Sequence, residues 1–470
     1  MAEFEPAVIA LSTPPGTSGI AVLRMSGEGS LEILRKAWRG KDPQEFRSHT
    51  VHLGWIADES GEDIDQVVAT VFRAPNSYTG EDVVEISCHG SMWVVSAIIR
   101  RLIECGAEAA RAGEFTRRAF INGRLDLAQA DGVADMIAAS SRMAAKLAAA
   151  QMKGTYSKRL EELRKELLDL CVLLELELDF SEEDVEFADR QKLITLAKTV
   201  LAEVERLASS FKTGQAFKNG VPVAITGIPN VGKSTLLNAL AGEQKAIVTD
   251  IPGTTRDAIE DAIELSGILF RFVDTAGLRE SGDEVEKIGI QRTKDAAAKA
   301  SIILYLIDPT QDIESQEKEL EALRNASEAK VVRVWTKADI SQLPEDEKKS
   351  CESKSNELKT TSLEGDRDAI VISAKEGNGL EELKKRIVGI ATGGANTEDG
   401  LIITNARHYN ALREAEEPLR RLIEGLQLGL PADILAQDLR QSERSLAEIT
   451  GAVTSDELLS TIFSRYCIGK

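Results

Sequence analysis

The chain has 470 residues, more than one ordinary hydrophobic core accommodates, and one domain per ~150 residues gives about three. Hydrophobic residues at 43% and charged residues at 29% are ordinary for a globular chain, aromatics are only 4%, and the plentiful alanine and leucine, both strong helix formers, lean the composition toward helix. The formal net charge of −20 excludes a protein that holds nucleic acid over its whole surface, so any RNA contact must use a local basic patch or a partner's surface.

Residues 1–122 read as an α+β domain. The runs AVIALST, GIAVLRMS, DQVVATVFRA and DVVEISCHG predict strands separated by turn residues, and SMWVVSAIIRRLIEC predicts a helix. The N-terminus has no basic start followed by a long apolar run, so no secretory signal is expected. Residues 123–215 carry apolar residues at three- and four-residue spacing in LDLAQADGVADMIAASSRMAAKLAAAQ and KRLEELRKELLDLCVLLELELDF, interrupted by SEEDVEFADR, which predicts a helical bundle. Residues 216–392 alternate the apolar runs VPVAITG, LFRFVD, SIILYLID, KVVRVW and DAIVIS with helices, as a mainly parallel doubly wound sheet does. After the linker ATGGANTEDG, residues 393–470 return to helix. The expected architecture is multidomain: a discontinuous helical bundle with a Ras-like α/β P-loop domain inserted into it, two separate helical domains being the alternative. No run of about 18 apolar residues occurs, so no membrane span is expected and the cytoplasm is the expected location. Cys88, Cys105, Cys171, Cys351 and Cys467 show no CxxC pair, which argues against a disulfide framework or zinc site.

The segment GIPNVGKST matches G-x-x-x-x-G-K-[ST] between an apolar strand and a helix. Gly227 and Gly232 permit a tight loop whose amides wrap phosphates, and Asn230, Val231 and Thr235 complete it. Lys233 offers a compact charge to the β and γ phosphates, and the Ser234 hydroxyl suits Mg²⁺. Three further segments sit in the order a GTPase requires, each ending an expected strand. Asp274-Thr275-Ala276-Gly277 supplies an acid for the Mg²⁺ shell and an amide for the γ-phosphate. Thr336-Lys337-Ala338-Asp339 supplies Asp339, which can accept from guanine N1–H and its exocyclic amine. Ser373-Ala374-Lys375 can offer an amide to guanine O6. Thr336 stands where this motif usually has Asn, which predicts the loss of a side-chain contact to base and phosphate loop. Thr255, in IVTDIPGTTRD, is a candidate second hydroxyl for Mg²⁺.

Leu278 follows the DTAG segment, where Ras-like proteins place a water-orienting Gln, and a leucine cannot orient water. Glu280, Asp283, Glu284 and Glu286 lie just downstream, and Arg256 or Arg279 could act as a finger or merely lie on the surface. Arg100, Arg101, Arg111, Arg117, Arg118 and Arg124 form the densest arginine cluster outside the α/β block. They could hold phosphates or another anionic ligand, but Glu104, Glu108 and Glu114 lie among them, so a salt-bridged face is the default.

The runs NVGKSTLLNAL, IVTDIPGTTRD and DTAGLRESGDEVEKIGIQR resemble the MnmE (TrmE) family of tRNA-modification GTPases. So do STPPGTSGIAVLRMSG, NSYTGEDVVEISCHG, GEFTRRAFINGRLDLAQA and the terminal CIGK. The resemblance implies a GTPase that adds an aminomethyl or carboxymethylaminomethyl group to C5 of the wobble uridine of certain tRNAs. It implies a homodimer held by N-terminal folate-binding domains, the flavoprotein partner MnmG, and a tetrahydrofolate derivative (5-formyl- or methylene-) as carbon source. It further implies GTP with Mg²⁺, and K⁺ beside the phosphates at Asn230, Thr249, Ile251 and Thr254, within the nucleotide-binding segment that also includes Asp250, Pro252 and Gly253. Glu286 then matches the catalytic glutamate that positions water, directly or through a second water. Arg24, Glu85, Arg124 and Lys470 match the folate positions; from sequence alone each could form a surface ion pair, and the family match favours the folate role. Cys467, in the terminal motif, is a candidate nucleophile or proton carrier. A ribosome-directed GTPase in the manner of Era, and a folate enzyme with a regulatory nucleotide domain, are the rival readings.

Overall fold

A computed structural model of the chain describes residues 5–179, 190–242, 261–273, 300–339, 369–393, 401–464 and 466–469. It divides into two compact units, one made of Met1–Ala134, Gln151–Leu193 and Glu424–Lys470, the other of Asp135–Ala150 and Ile194–Ile423.

In the first unit, strands β1 (Val8–Leu11), β2 (Ser18–Ser26), β3 (Trp38–Arg39), β4 (Thr50–Ala57), β5 (Asp63–Phe72), β6 (Val83–Gly90) and β7 (Glu108–Ala109) form one sheet in the order β3-β4-β5-β6-β2-β1-β7. The four strands expected from sequence are β1, β2, β5 and β6. β4 escapes the usual reading because its alternation is inverted: Val51, Leu53 and Trp55 are exposed, while the inward face carries half-buried Thr50 and His52 with buried Gly54 and Ile56. One face buries Ile9, Leu23, Met25, Val67 and Ile86 against helices α1 (Ser30–Ala37) and α2 (Met92–Glu104). On the other face Val8 and Ala10 pack on Phe115 of helix α3 (Glu114–Ile121). The helical sequence after residue 125 begins with α4 (Leu127–Ala138), which ends before Ser141; in the second unit the Ser141 hydroxyl accepts the Ala144 amide at 3.2 Å and caps α5 (Arg142–Met152), whose residues up to Ala150 belong there. Helix α6 (Thr155–Asp179) and helix Ala432–Thr450, more than 250 residues apart in sequence, pack together and are joined by Arg164 Nη2 to Glu443 Oε1 at 2.6 Å.

In the second unit, β8 (Val221–Thr226), β9 (Asp261–Leu265), β10 (Ile268–Val273), β11 (Ile302–Ile307), β12 (Lys330–Trp335) and β13 (Ile370–Val371) form a sheet in the order β13-β12-β11-β8-β10-β9. All its pairings are parallel except the β9–β10 hairpin. Strand β11 is buried along its whole length, which explains its unbroken apolar run IILYLI. The order reverses around β8: β10 and β9 lie to one side, and β11, β12 and β13 to the other. Such a reversal opens a crevice beyond the carboxyl end of the central strand, where open α/β sheets bind ligands.

Candidate functional site: a guanine-nucleotide site and a second basic site

The phosphate loop leaves β8 at that reversal point. Gly227 has φ +137°, and a Cβ there would meet the Leu306 carbonyl of β11 at 2.5 Å, so glycine is required by both conformation and space. After helices α7 (Arg190–Ser209) and α8 (Phe211–Asn219), which precede β8, Gly232, at φ +107°, opens helix α9 (Lys233–Ala241) and turns its first amides toward the loop. Lys233 Nζ donates to the loop carbonyls of Gly227 at 2.7 Å and Ile228 at 3.1 Å. Burial lowers its pKa, with Glu319 opposing the shift. Ser234 and Thr235 are exposed on the first turn of α9, while Val231 is buried beneath the loop. The exposed Ser234 hydroxyl, a hard oxygen at a helix N-terminus, fits a role in the shell of a phosphate-bound Mg²⁺. Asn230 is exposed with φ +59°, a left-handed conformation that Asn tolerates better than most residues, so the backbone alone gives a reason for Asn there.

The Thr336–Asp339 segment follows β12 and is tied at three points. Thr336 is buried, and its hydroxyl lies 3.0 Å from the Val231 carbonyl and 3.1 Å from the Ile307 carbonyl, sharing one proton between them. The expected loss of a side-chain contact to the phosphate loop is therefore corrected: the Thr336 hydroxyl reaches the Val231 carbonyl. Lys337 Nζ lies 2.5 Å from Asp308 Oδ2. Asp339 Oδ1 accepts from the Ser373 hydroxyl at 3.0 Å, and Ser373 is buried by a turn in which its amide donates to the Asn378 carbonyl at 3.0 Å. The structure thus brings Thr336, Lys337, Ala338 and Asp339 together with Ser373 and Ala374, with Lys375 exposed beside them. Asp308, which directly follows β11, is the member that the sequence reading missed. Its signal is an acid closing the apolar run of SIILYLID. Thr249, Asp250, Ile251, Pro252, Gly253, Thr254, Thr255, Asp274, Thr275, Ala276, Gly277, Leu278 and Glu286 lie outside the described residues.

In the first unit, Arg24 of β2 and Glu85 of β6 are direct cross-strand partners. The guanidinium donates through Nε and Nη2 to Glu85 Oε1 at 2.9 and 2.7 Å, and sits 5.3 and 5.7 Å from the centres of the Tyr78 and Phe115 rings. Burial raises the Tyr78 pKa, opposed by the Thr116 hydrogen bond and by Arg24. Arg124 is exposed, its stem beside Gly80 in the loop that carries Tyr78. Lys470 lies outside the described residues, but the preceding tail docks on the same sheet. Ser12 Oγ donates to the Gly469 carbonyl at 3.1 Å, the Gly113 amide donates to the Cys467 carbonyl at 3.3 Å, and Ile468 bridges Ala112. Cys467 itself is exposed, whereas Cys88, Cys105 and Cys171 are buried. The arginine cluster is largely paired: Arg118 is 3% exposed and meets Glu5, Glu81 and Glu114, while Arg117 grips Glu5. The salt-bridged reading of that cluster therefore stands for Arg117 and Arg118, and for Arg101, which meets Glu104 at 3.5 Å.

Comparison with known proteins agrees with this arrangement. The family model described as MnmE helical domain matches residues 127–467, and that described as GTP-binding protein TrmE N-terminus matches residues 7–124. The tRNA modification GTPase MnmE of Christiangramia forsetii is 44% identical over 474 residues, covering 98% of this chain and 99% of that protein. The tRNA modification GTPase MnmE of Cytophaga hutchinsonii is 44% identical over 464 residues, covering 98% and 97%.

The chain belongs to the MnmE family of tRNA modification GTPases. As an MnmE-family member it is a GTPase acting in tRNA modification, and its nucleotide domain is a P-loop GTPase domain. Among solved structures, the G domain of the T. maritima FeoB iron transporter is 26% identical and covers 36% of this chain and 98% of its own, with a TM-score of 0.26. No helix among the described residues of this MnmE-family chain is long and apolar enough to cross a membrane.

Proposed function

We propose that this GTPase is K⁺-dependent and, as a cytoplasmic homodimer with the flavoprotein MnmG, adds an aminomethyl or carboxymethylaminomethyl group to C5 of the wobble uridine of certain tRNAs. A tetrahydrofolate derivative supplies the carbon. The observation that carries this reading is the docking of the Cys467–Gly469 tail against Leu11–Ser12 at the end of β1, whose Ala10 pairs with Arg24. It supports a second chemical site, distinct from the nucleotide site, built from Arg24, Glu85, Arg124, Lys470 and the Cys467 thiol. Arg24 holds Glu85 while its guanidinium lies against the Tyr78 and Phe115 rings, which supports a preformed place for a planar ligand with an anionic tail. The packing of Thr155–Asp179 on Ala432–Thr450 supports a discontinuous helical domain (123–215 and 393–470) with the GTPase domain (216–392) inserted into it, after an N-terminal domain over 1–122.

In the nucleotide site Asp339 selects guanine, Lys233 and the α9 amides bind the phosphates, and Ser234 with Thr255 would hold Mg²⁺. Asn230, Thr249, Ile251 and Thr254 would hold K⁺, which supplies positive charge near the bridging oxygens, the role an arginine finger plays elsewhere. Glu286 takes over the positioning of water that Leu278 cannot perform. The test measures GTP hydrolysis in K⁺ and in Na⁺, with and without the flavoprotein, and wobble-uridine modification in cells lacking the gene. Faster turnover in K⁺ and lost modification are expected. Equal rates in both salts would remove the cation role, and intact modification would remove the tRNA reading.

A further inference from the structure

We propose that Asp308, a residue outside every nucleotide motif in the sequence, is a positioning residue for guanine recognition: it holds Lys337 and so fixes the pose of the segment that presents Asp339. The inference rests on the reading that Thr336–Asp339 receives the guanine base.

Asp308 has no solvent exposure, and an ionised carboxylate is tolerated there only when its oxygens are paired. Both are. Oδ1 accepts from the Thr310 amide at 3.0 Å and the Thr310 hydroxyl at 2.7 Å, and Oδ2 meets Lys337 Nζ at 2.5 Å. Burial pushes its pKa up, but the Lys337 and Thr310 hydrogen bonds outweigh it and leave the carboxyl below its ordinary range, ionised at neutral pH. Its backbone is pinned as well. The Asp308 amide donates to Gln316 Oε1 at 2.9 Å, and Gln316 Nε2 donates back to the Asp308 carbonyl at 3.0 Å, with Gln316 itself buried. Asp308 is thus a fixed post, and Lys337 is the movable partner.

Lys337 needs such a post. Its φ of +57° is a left-handed conformation that a lysine keeps only when its surroundings hold it. Its neighbours are tied elsewhere, Thr336 to the Val231 carbonyl of the phosphate loop and Asp339 to the Ser373 hydroxyl. Three places beyond the sheet edge therefore hold one short segment: the phosphate loop through Val231, the end of β11 through Asp308, and the turn after β13 through Ser373. Releasing the middle tie lets Lys337 relax toward an ordinary φ. That rotation swings the following residues and moves the Asp339 carboxylate off the position from which it accepts the guanine amine. A pair that merely stabilised the domain would weaken all nucleotides alike. A positioning pair weakens most the nucleotide whose binding depends on Asp339.

The experiment uses the full chain as wild type, Asp308→Asn, Lys337→Met and the double variant, with dissociation constants for GDP and IDP measured by competition against a fluorescent GDP. IDP lacks the exocyclic amine. Asp308→Asn should weaken GDP about tenfold and shrink the wild-type preference for GDP over IDP at least threefold. The double variant should bind GDP within about twofold of Lys337→Met, because both changes cut one tie. An unchanged preference, or losses that multiply in the double variant, overturns the proposal. If Asp308→Asn does not fold, the exposed Thr310→Val removes one donor from the same carboxylate, and an unchanged preference there overturns it equally. A wild type that binds GDP no better than IDP would instead refute the guanine-site reading on which the inference stands.

Discussion

Replacing Thr336 by Val removes one hydroxyl without changing volume, so the effect isolates a single bond. The Ile307 carbonyl keeps a partner, because the Thr336 amide also donates to it at 2.9 Å. The Val231 carbonyl loses the hydroxyl that reaches it from β12. An acceptor left unpaired in a buried position costs about 1–3 kcal/mol. Because Val231 lies inside the phosphate loop, that cost divides between domain stability and nucleotide affinity. If it all falls on affinity, GDP binding weakens about 5- to 150-fold. The assay is a fluorescent-GDP titration paired with urea unfolding of the nucleotide-free protein, since the two losses together should reach the full cost. Thr336→Ser keeps the hydroxyl and should stay near wild type in both. Thr336→Val within twofold of wild type in affinity and with an unshifted unfolding midpoint would refute the tether. So would Thr336→Ser as weak as Thr336→Val.

Four further outcomes follow from the same coordinates. Arg118→Met leaves the carboxylates of Glu81 and Glu114 without their buried partner and should cost the first unit about 3–5 kcal/mol, read as a fall in its thermal or denaturant midpoint. Brief alkylation followed by peptide mapping should label the exposed Cys467 well before Cys88, whose thiol burial pushes up to about 11 and which at pH 8 is about one part in a thousand thiolate; comparable labelling of both would contradict the buried assignment. Gly469 has φ +93°, and a Cβ there would meet the Leu11 carbonyl at 2.2 Å, so Gly469→Ala should undock the terminal motif and sharply lower wobble-uridine modification while GDP affinity stays within about twofold. Asn230→Gly keeps the left-handed loop but removes the side-chain oxygen; it should bind GDP within about threefold of wild type and lose any K⁺ stimulation of hydrolysis, measured as turnover in K⁺ against Na⁺.

What could be read from the sequence was what local chemistry dictates. The phosphate loop is legible because its glycines answer to a conformation, and the apolar runs of residues 216–392 are legible because their strands are largely buried, β11 along its whole length. Strands β4 and β9 are not legible in this way, the first because its apolar residues Val51, Leu53 and Trp55 lie on the exposed face and the second because a short antiparallel hairpin arm carries little pattern of its own. The ties between segments were illegible for a different reason. Arg24 meets Glu85 across 61 positions and Thr336 meets Val231 across 105, so each pairing exists only once sheet register is set.

Asn230 shows how far a motif residue can be interpreted before its environment is known. The family resemblance assigns its side chain to a cation, while its φ of +59° would favour Asn even in a loop that binds none. These two causes are not exclusive, and a left-handed turn is what sends the Asn230 side chain outward into solvent rather than under the loop with Val231. Thr336 presents the converse case. Its departure from the usual Asn reads as a loss, yet the observed hydroxyl keeps the tie to the phosphate loop and gives up only reach toward the base. On the proposed reading of the Thr336–Asp339 segment, guanine selection then leans more heavily on Asp339, and Asp339 is as well placed as the segment that carries it. That is why the buried Asp308 matters: where one recognition side chain is shortened, the anchoring of its neighbours carries a larger share of specificity.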